Sequence, residues 1–94
     1  MVNASIQFIP LDAGKPTYYW VDKAIEIIRN EGLTMEVGPF GTAVEGTREQ
    51  IEMLVSHLNE QMEAAGCPEW LLQTQWHIRA GGEVTIAEKT RKYR

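Results

Sequence analysis

The stretch VGPFGTAVEG, Val37 to Gly46, holds three of the chain's eight glycines and one of its four prolines. Gly38-Pro39-Phe40-Gly41 is turn chemistry: proline presets a negative φ, and glycine takes up conformations other residues avoid. The residues on either side alternate. Leu33, Met35 and Val37 oppose Thr34 and Glu36 before the turn, and GTAVEG follows it. Two short strands joined by a tight turn predict a hairpin at residues 33–46.

Working outward, each arm of the hairpin meets a helix and then another strand. On the N-terminal side, NASIQFIPL puts Ala4, Ile6 and Phe8 on one face and Asn3, Ser5, Gln7 and Ile9 on the other. DAGKPT is a loop. In TYYWVDKAIEIIRNEG, Val21, Ala24, Ile25 and Ile28 recur at helical spacing, with Thr17 as N-cap and Gly32 as the stop. On the C-terminal side, Thr47 and Gln50 have the spacing of a capping box. Ile51, Leu54, Val55, Leu58 and Met62 follow as an apolar stripe, and Gly66 ends the run. EWLLQTQWHIR then alternates Leu72, Thr74, Trp76 and Ile78 against Gln73, Gln75, His77 and Arg79. Thr85 and Glu88 form a second capping-box pair before a short final helix.

The order is β-α-β-β-α-β plus a C-terminal helix. Residues 3–38 and 41–80 each make a strand, a crossover helix and a strand, and such crossovers are right-handed. Interleaving the two units predicts an α+β, ferredoxin-like sandwich in one domain, residues 1–94. Its antiparallel sheet has strand order 4-1-3-2, with two helices on one face. The other face carries Asn3, Ser5, Gln7, Ile9, Thr34, Glu36, Ala43, Glu45, Gln73, Gln75, His77 and Arg79 and is rich in amides and hydroxyls. Two readings stand for it: a wet sheet-on-sheet oligomer interface, or such an interface with a ligand site at its edge.

Composition narrows the function. A net charge of −4 argues against nucleic acid, whose phosphates call for a basic face. The last residues, EKTRKYR, carry four of the nine basic side chains and read as a solvated or intersubunit segment. The single cysteine, Cys67, allows neither an intrachain disulfide nor a cysteine-based metal site, and reads as a buried, inert thiol. No apolar run nears about 20 residues, so no membrane span is expected. The N-terminus lacks the basic and apolar regions of a signal peptide, so a cytoplasmic protein is expected.

Fold alone does not assign function. Iron–sulfur ligation needs several cysteines. No glycine-rich phosphate loop precedes the first helix. RNA recognition calls for exposed aromatics on the central strands, where this chain places Ser5, Gln7, Ala43 and Glu45. Neither His57 nor His77 pairs with a nucleophile by spacing. A non-catalytic protein with no metal and no required cofactor is expected.

For a ligand site at the edge of that face, the residues near the hairpin offer contacts to a small flat ring. The Gln7 amide can both donate and accept, and Ser5 adds a hydroxyl. Glu45 can accept from an amine or sit near a cation. Phe40 and Trp20 (or Tyr19) can stack on a ring, and the Gly41–Thr42 backbone can donate. Each has a structural alternative. Ser5 and Gln7 can meet a neighbouring subunit, Thr42 can serve strand geometry, Glu45 can be solvated, and Phe40 and Trp20 can pack on the core.

SIQFIPL, GPFGTAVEG and EAAGCP carry a family likeness. Ser5-x-Gln7 followed by Pro10, then Gly41–Thr42 with Glu45–Gly46, resembles the small thiamine-binding (YkoF-like) family of ferredoxin-like proteins over nearly the whole chain. The resemblance implies binding rather than catalysis. The implied ligand is thiamine or its hydroxymethylpyrimidine moiety, and the implied role is vitamin B1 transport or salvage. It also implies a homo-oligomer, dimer or tetramer, built through sheet faces. The chain departs from the family pattern at Trp70, Trp76 and His77 and in the aromatic stretch DAGKPTYYW. The alternative function is a regulatory or interaction module of the same fold that senses another small metabolite.

Overall fold

Gly38 pairs with Gly41 across the Pro39–Phe40 turn in the computed structural model, which describes residues 1–94. No non-glycine residue has a positive φ. The turn is therefore not one of the primed types that match strand twist best. The unusual conformation falls on Gly41 instead, at φ +157°. A Cβ there would sit 3.1 Å from the Ile6 carbonyl oxygen and 3.1 Å from Ser5 Oγ. The glycine thus lets the hairpin close against the first strand. Gly41→Ala must push that backbone aside. We expect a loss of about 1–3 kcal/mol in a urea titration, the usual cost of overpacking.

The elements are β1 (Val2–Pro10), α1 (Thr17–Asn30), β2 (Thr34–Gly38), β3 (Gly41–Gly46), α2 (Arg48–Ala64), β4 (Trp70–His77) and α3 (Ile86–Thr90), with a 3-10 turn at Arg91–Tyr93. The sheet order is β2-β3-β1-β4, the expected order read from the other edge, and all three pairings are antiparallel. Both capping boxes form. Gln50 N–H donates to Thr47 Oγ1 at 3.1 Å, and Thr47 N–H donates to Gln50 Oε1 at 2.9 Å. In α1 the N-cap is Pro16 rather than Thr17, which is the first helical residue and caps nothing. Proline loses no hydrogen bond at a helix start, so no side-chain cap is required there.

The core lies between one sheet face and the two long helices. Ile6 and Val44 meet Ile51, Leu54, Leu58 and Met62, each at 2% exposure or less. The α2 stripe is the expected one, with Val55 half-buried at its edge. The α1 stripe is rotated. Its buried residues are Trp20, Ala24, Ile27 and Ile28, while Val21 and Ile25 are only half-buried. The helix is apolar over more than one stripe, and the sheet takes the half that includes the large indole. Trp70 is accommodated between layers: its Nε1–H donates to Asn59 Oδ1 of α2 at 3.0 Å, and its ring lies 6.0 Å from that of Phe8. Val37, beside the turn, and Ile78, just past β4, were expected on the core face but stay exposed.

The second face of the sheet is partly covered, which corrects the expectation of an open polar face. After Gly81 and Gly82 the chain crosses it. Val84 is fully buried, its N–H donates to the Met1 carbonyl, and its own carbonyl accepts from Asn3 Nδ2 at 3.1 Å. Ile86 N–H donates to Glu45 Oε1 at 2.6 Å, and Arg94 pairs with Glu36. The basic tail therefore folds onto its own sheet. α3 itself buries no residue, so buried Val84 and polar contacts hold this strap.

Candidate functional site

β1 is longer than its partner on one side. It pairs with β3 only as far as Ile6, but with β4 as far as Pro10. From Gln7 to Pro10 the edge facing the hairpin has no ladder partner. Backbone groups left off a ladder need another partner, usually water or a ligand. This edge, the hairpin turn and α1 enclose a slot of about 290 Å³. Val21, Ile25, Ile28 and Phe8 make its apolar wall. Thr17 and Thr42 add hydroxyls, Gln7 sits at the unpaired edge, and Tyr18 and Phe40 line the slot while largely exposed.

No carboxylate, imidazole, ammonium or guanidinium lines this slot. An apolar, uncharged recess with a few placed hydrogen-bonding groups suits a flat neutral ring. Exposed aromatics at such a recess can face a cation.

The structure divides the sequence-predicted residues. Phe40, Gly41 and Thr42 come together at the slot, and Gln7 borders it at the strand edge, its side chain alternating to the face that carries Ser5. Thr42 reaches the slot through its side chain on the helix face, because its register partner is core-facing Ile6. It is 4% exposed, and that remainder opens on the slot. Ser5 lies on the opposite sheet face, in a separate cleft that shares Gly41. Glu45 lines neither cavity; its carboxylate accepts from the start of α3. Trp20 is withdrawn altogether. It is 2% exposed, so its ring cannot stack on a ligand.

Trp20 instead fixes the start of α1. Its Nε1–H donates to Asp12 Oδ2 at 2.8 Å, and Gly14 N–H donates to the other carboxylate oxygen at 2.8 Å. The Trp20 hydrogen bond, then that from Gly14, then nearby Lys15, hold the Asp12 carboxyl below its ordinary 3.8 despite some desolvation. A carboxylate with a depressed folded pKa contributes stability above its unfolded pKa and loses it as pH falls through the folded one. The Trp20 indole N–H resonance is therefore expected to shift with a midpoint below 3.8, and Asp12→Asn should remove that titration. Tyr19 packs edge-on against Trp20 with the Lys15 ammonium over its ring, away from the slot.

The slot residues that sequence reading missed are Thr17, Tyr18, Val21 and Ile25. Tyr18, Val21 and Ile25 recur at i, i+3, i+7 beside the core stripe. A second apolar column that the core does not use is a signal for a groove. His57 bridges the helices, Nδ1 lying 2.7 Å from Glu31 Oε1. The Cys67 thiol is buried, and burial pushes its pKa up, as an inert thiol requires. No helix is long and apolar enough to cross a membrane.

Residues 4–94 match the family model described as "Thiamine-binding protein". The chain is 34% identical over 92 residues to UPF0045 protein CPE1503 of Clostridium perfringens, covering 98% of this chain and 96% of that one. Among solved structures it is similar to a protein of Thermotoga maritima whose name assigns it provisionally to thiamine biosynthesis or salvage. The TM-score is 0.90 and the identity 36%, over 99% of this chain and 98% of that one. A Bacillus cereus domain of unknown function, DUF77, superimposes with a TM-score of 0.89 at 34% identity, over 99% and 89% of the two chains.

Proposed function

Since the chain belongs to the thiamine-binding protein family, we propose that the slot between α1 and the hairpin binds the pyrimidine half of thiamine or free hydroxymethylpyrimidine. The observation that carries this reading is the neutral, apolar recess beside an unpaired strand edge. An aminopyrimidine presents donors and acceptors along one edge of a flat ring. The main chain of β1 beyond Ile6, Gln7 included, and the Thr42 hydroxyl supply complementary groups. The ring faces find Val21, Ile25 and Phe8, and a thiazolium cation extending outward meets Phe40 or Tyr18. No carboxylate, imidazole, amine or thiol lines the slot to activate its hydroxyls, which supports a carrier in transport or salvage rather than an enzyme.

Calorimetric titration tests this. Thiamine and hydroxymethylpyrimidine are expected to bind saturably, and thiamine diphosphate more weakly, because no cation in the slot offsets its phosphates. Absence of heat up to millimolar thiamine and hydroxymethylpyrimidine would sink the reading. The protein works, on this proposal, as a homo-oligomer through the part of the sheet face that the strap leaves uncovered, where Gln73 is exposed. Sedimentation should show a dimer or tetramer; a monomer at all concentrations would refute that part alone.

A further inference from the structure

The larger cavity lies on the other side of the sheet. It is a cleft of about 690 Å³ between α3 and the strands, and the slot's ligand does not account for it. Its floor is one cross-strand row of small or polar residues, Ala43, Ser5 and Gln75, and Lys89 and Thr90 of α3 form the wall. Two features stand out. Asn3, which also lines the cleft, is 5% exposed, and its Oδ1 has no hydrogen-bond partner although Nδ2 is held by the Val84 carbonyl. A buried acceptor without a donor is costly, so the site favours an incoming N–H. Lys89 has no carboxylate partner, whereas the only acid in the lining, Glu36, is paired with Arg94. The uncompensated charge of the cleft is thus positive.

We propose that this cleft is a second small-molecule site that takes an amino-carboxylate, a free α-amino acid, with its carboxylate at Lys89 and its ammonium N–H directed to Asn3 Oδ1. The side chains of Ser5 and Gln75 line the cleft without a hydrogen-bond partner in the protein and are available for the remaining polar atoms of the ligand. The wall can give way to admit it, because α3 buries no side chain and is held by a few polar contacts, at Glu45, Glu36 and Arg79. The site is independent of the slot, sharing only the hairpin glycines Gly38 and Gly41.

The test is a titration of the full ¹⁵N-labelled chain with the common α-amino acids, one at a time, up to millimolar. The readouts are the backbone amides of Ser5, Ala43 and Gln75 and the Asn3 side-chain NH₂. At least one amino acid is expected to give saturable shifts. Lys89 is exposed, so Lys89→Met should fold normally and weaken binding about tenfold or more, the effect of losing a charge-assisted hydrogen bond. Ala43→Leu, which fills the floor, should abolish it. The deaminated acid of the same chain length should bind about tenfold more weakly, because it leaves Asn3 Oδ1 without a donor. The proposal is overturned by an absence of saturable shifts, by shifts indifferent to Lys89→Met, or by equal binding of the deaminated acid. Shifts that follow protein concentration alone would assign the cleft to a second copy of the chain and overturn it too.

Discussion

Trp20→Ala is expected to destabilise the protein by about 3–5 kcal/mol, the usual cost of emptying a buried aromatic site. A domain of this size has roughly 5–14 kcal/mol in total, so the variant would lose about a fifth of its stability or more. The indole is 2% exposed and also ties the loop before α1 to the helix through Asp12. Trp20→Phe separates the two roles. It keeps most of the packing and loses the hydrogen bond, at about 1 kcal/mol. Urea denaturation gives both numbers. The folded Phe variant should retain thiamine binding unchanged. A variant that folds with near-native stability but no longer binds would return Trp20 to the site and refute its assignment to the core.

Thr42→Val should have the opposite profile. The change is nearly isosteric and removes only the hydroxyl of a side chain whose residual exposure opens on the slot. Stability should move by less than about 1 kcal/mol, because the hydroxyl holds no other element in place. Thiamine binding should weaken about five- to 150-fold, corresponding to the roughly 1–3 kcal/mol lost when a buried ligand group is left unpaired. Phe40→Ala provides the companion. The ring is 84% exposed, so the fold should not notice its removal, but stacking on the ligand would be lost at about 0.5–2 kcal/mol. Calorimetry and thermal unfolding of both variants decide the matter. Loss of stability in step with loss of affinity in Thr42→Val would mean that Thr42 is simply a core residue.

The candidate site was legible only in part, and the reasons differ by residue. Thr42, Phe40 and Gly41 are found at the slot because the hairpin that carries them is readable from glycine and proline placement. Ser5 and Thr42 sit on adjacent strands yet face opposite sides, since Thr42 is in register with Ile6 and Ser5 with Ala43. Alternation gives the faces within one strand, but grouping residues into one site also needs the register between strands. Trp20 and Val21 exchange roles, one in the core and one at the slot, because an apolar helix surface wider than one stripe does not say which half the sheet will take. Glu45 was read as a free carboxylate because its partner, the Ile86 amide, lies 41 residues away in the chain.

What the amino-acid sequence determines by itself is local and periodic. Strand alternation, the stripe of α2, both capping boxes and the glycine–proline turn place the elements, and the handedness of strand–helix–strand units leaves little choice of topology. The family follows from the same ordered motifs. The tertiary structure alone decides where elements fail to cover one another. β1 outruns β3 by four residues, from Gln7 to Pro10, and that shortfall opens the slot. The C-terminal strap crosses the polar face and turns part of it into a cleft. Cavities of this kind arise from mismatched lengths and long-range contacts, and no short stretch of sequence encodes either.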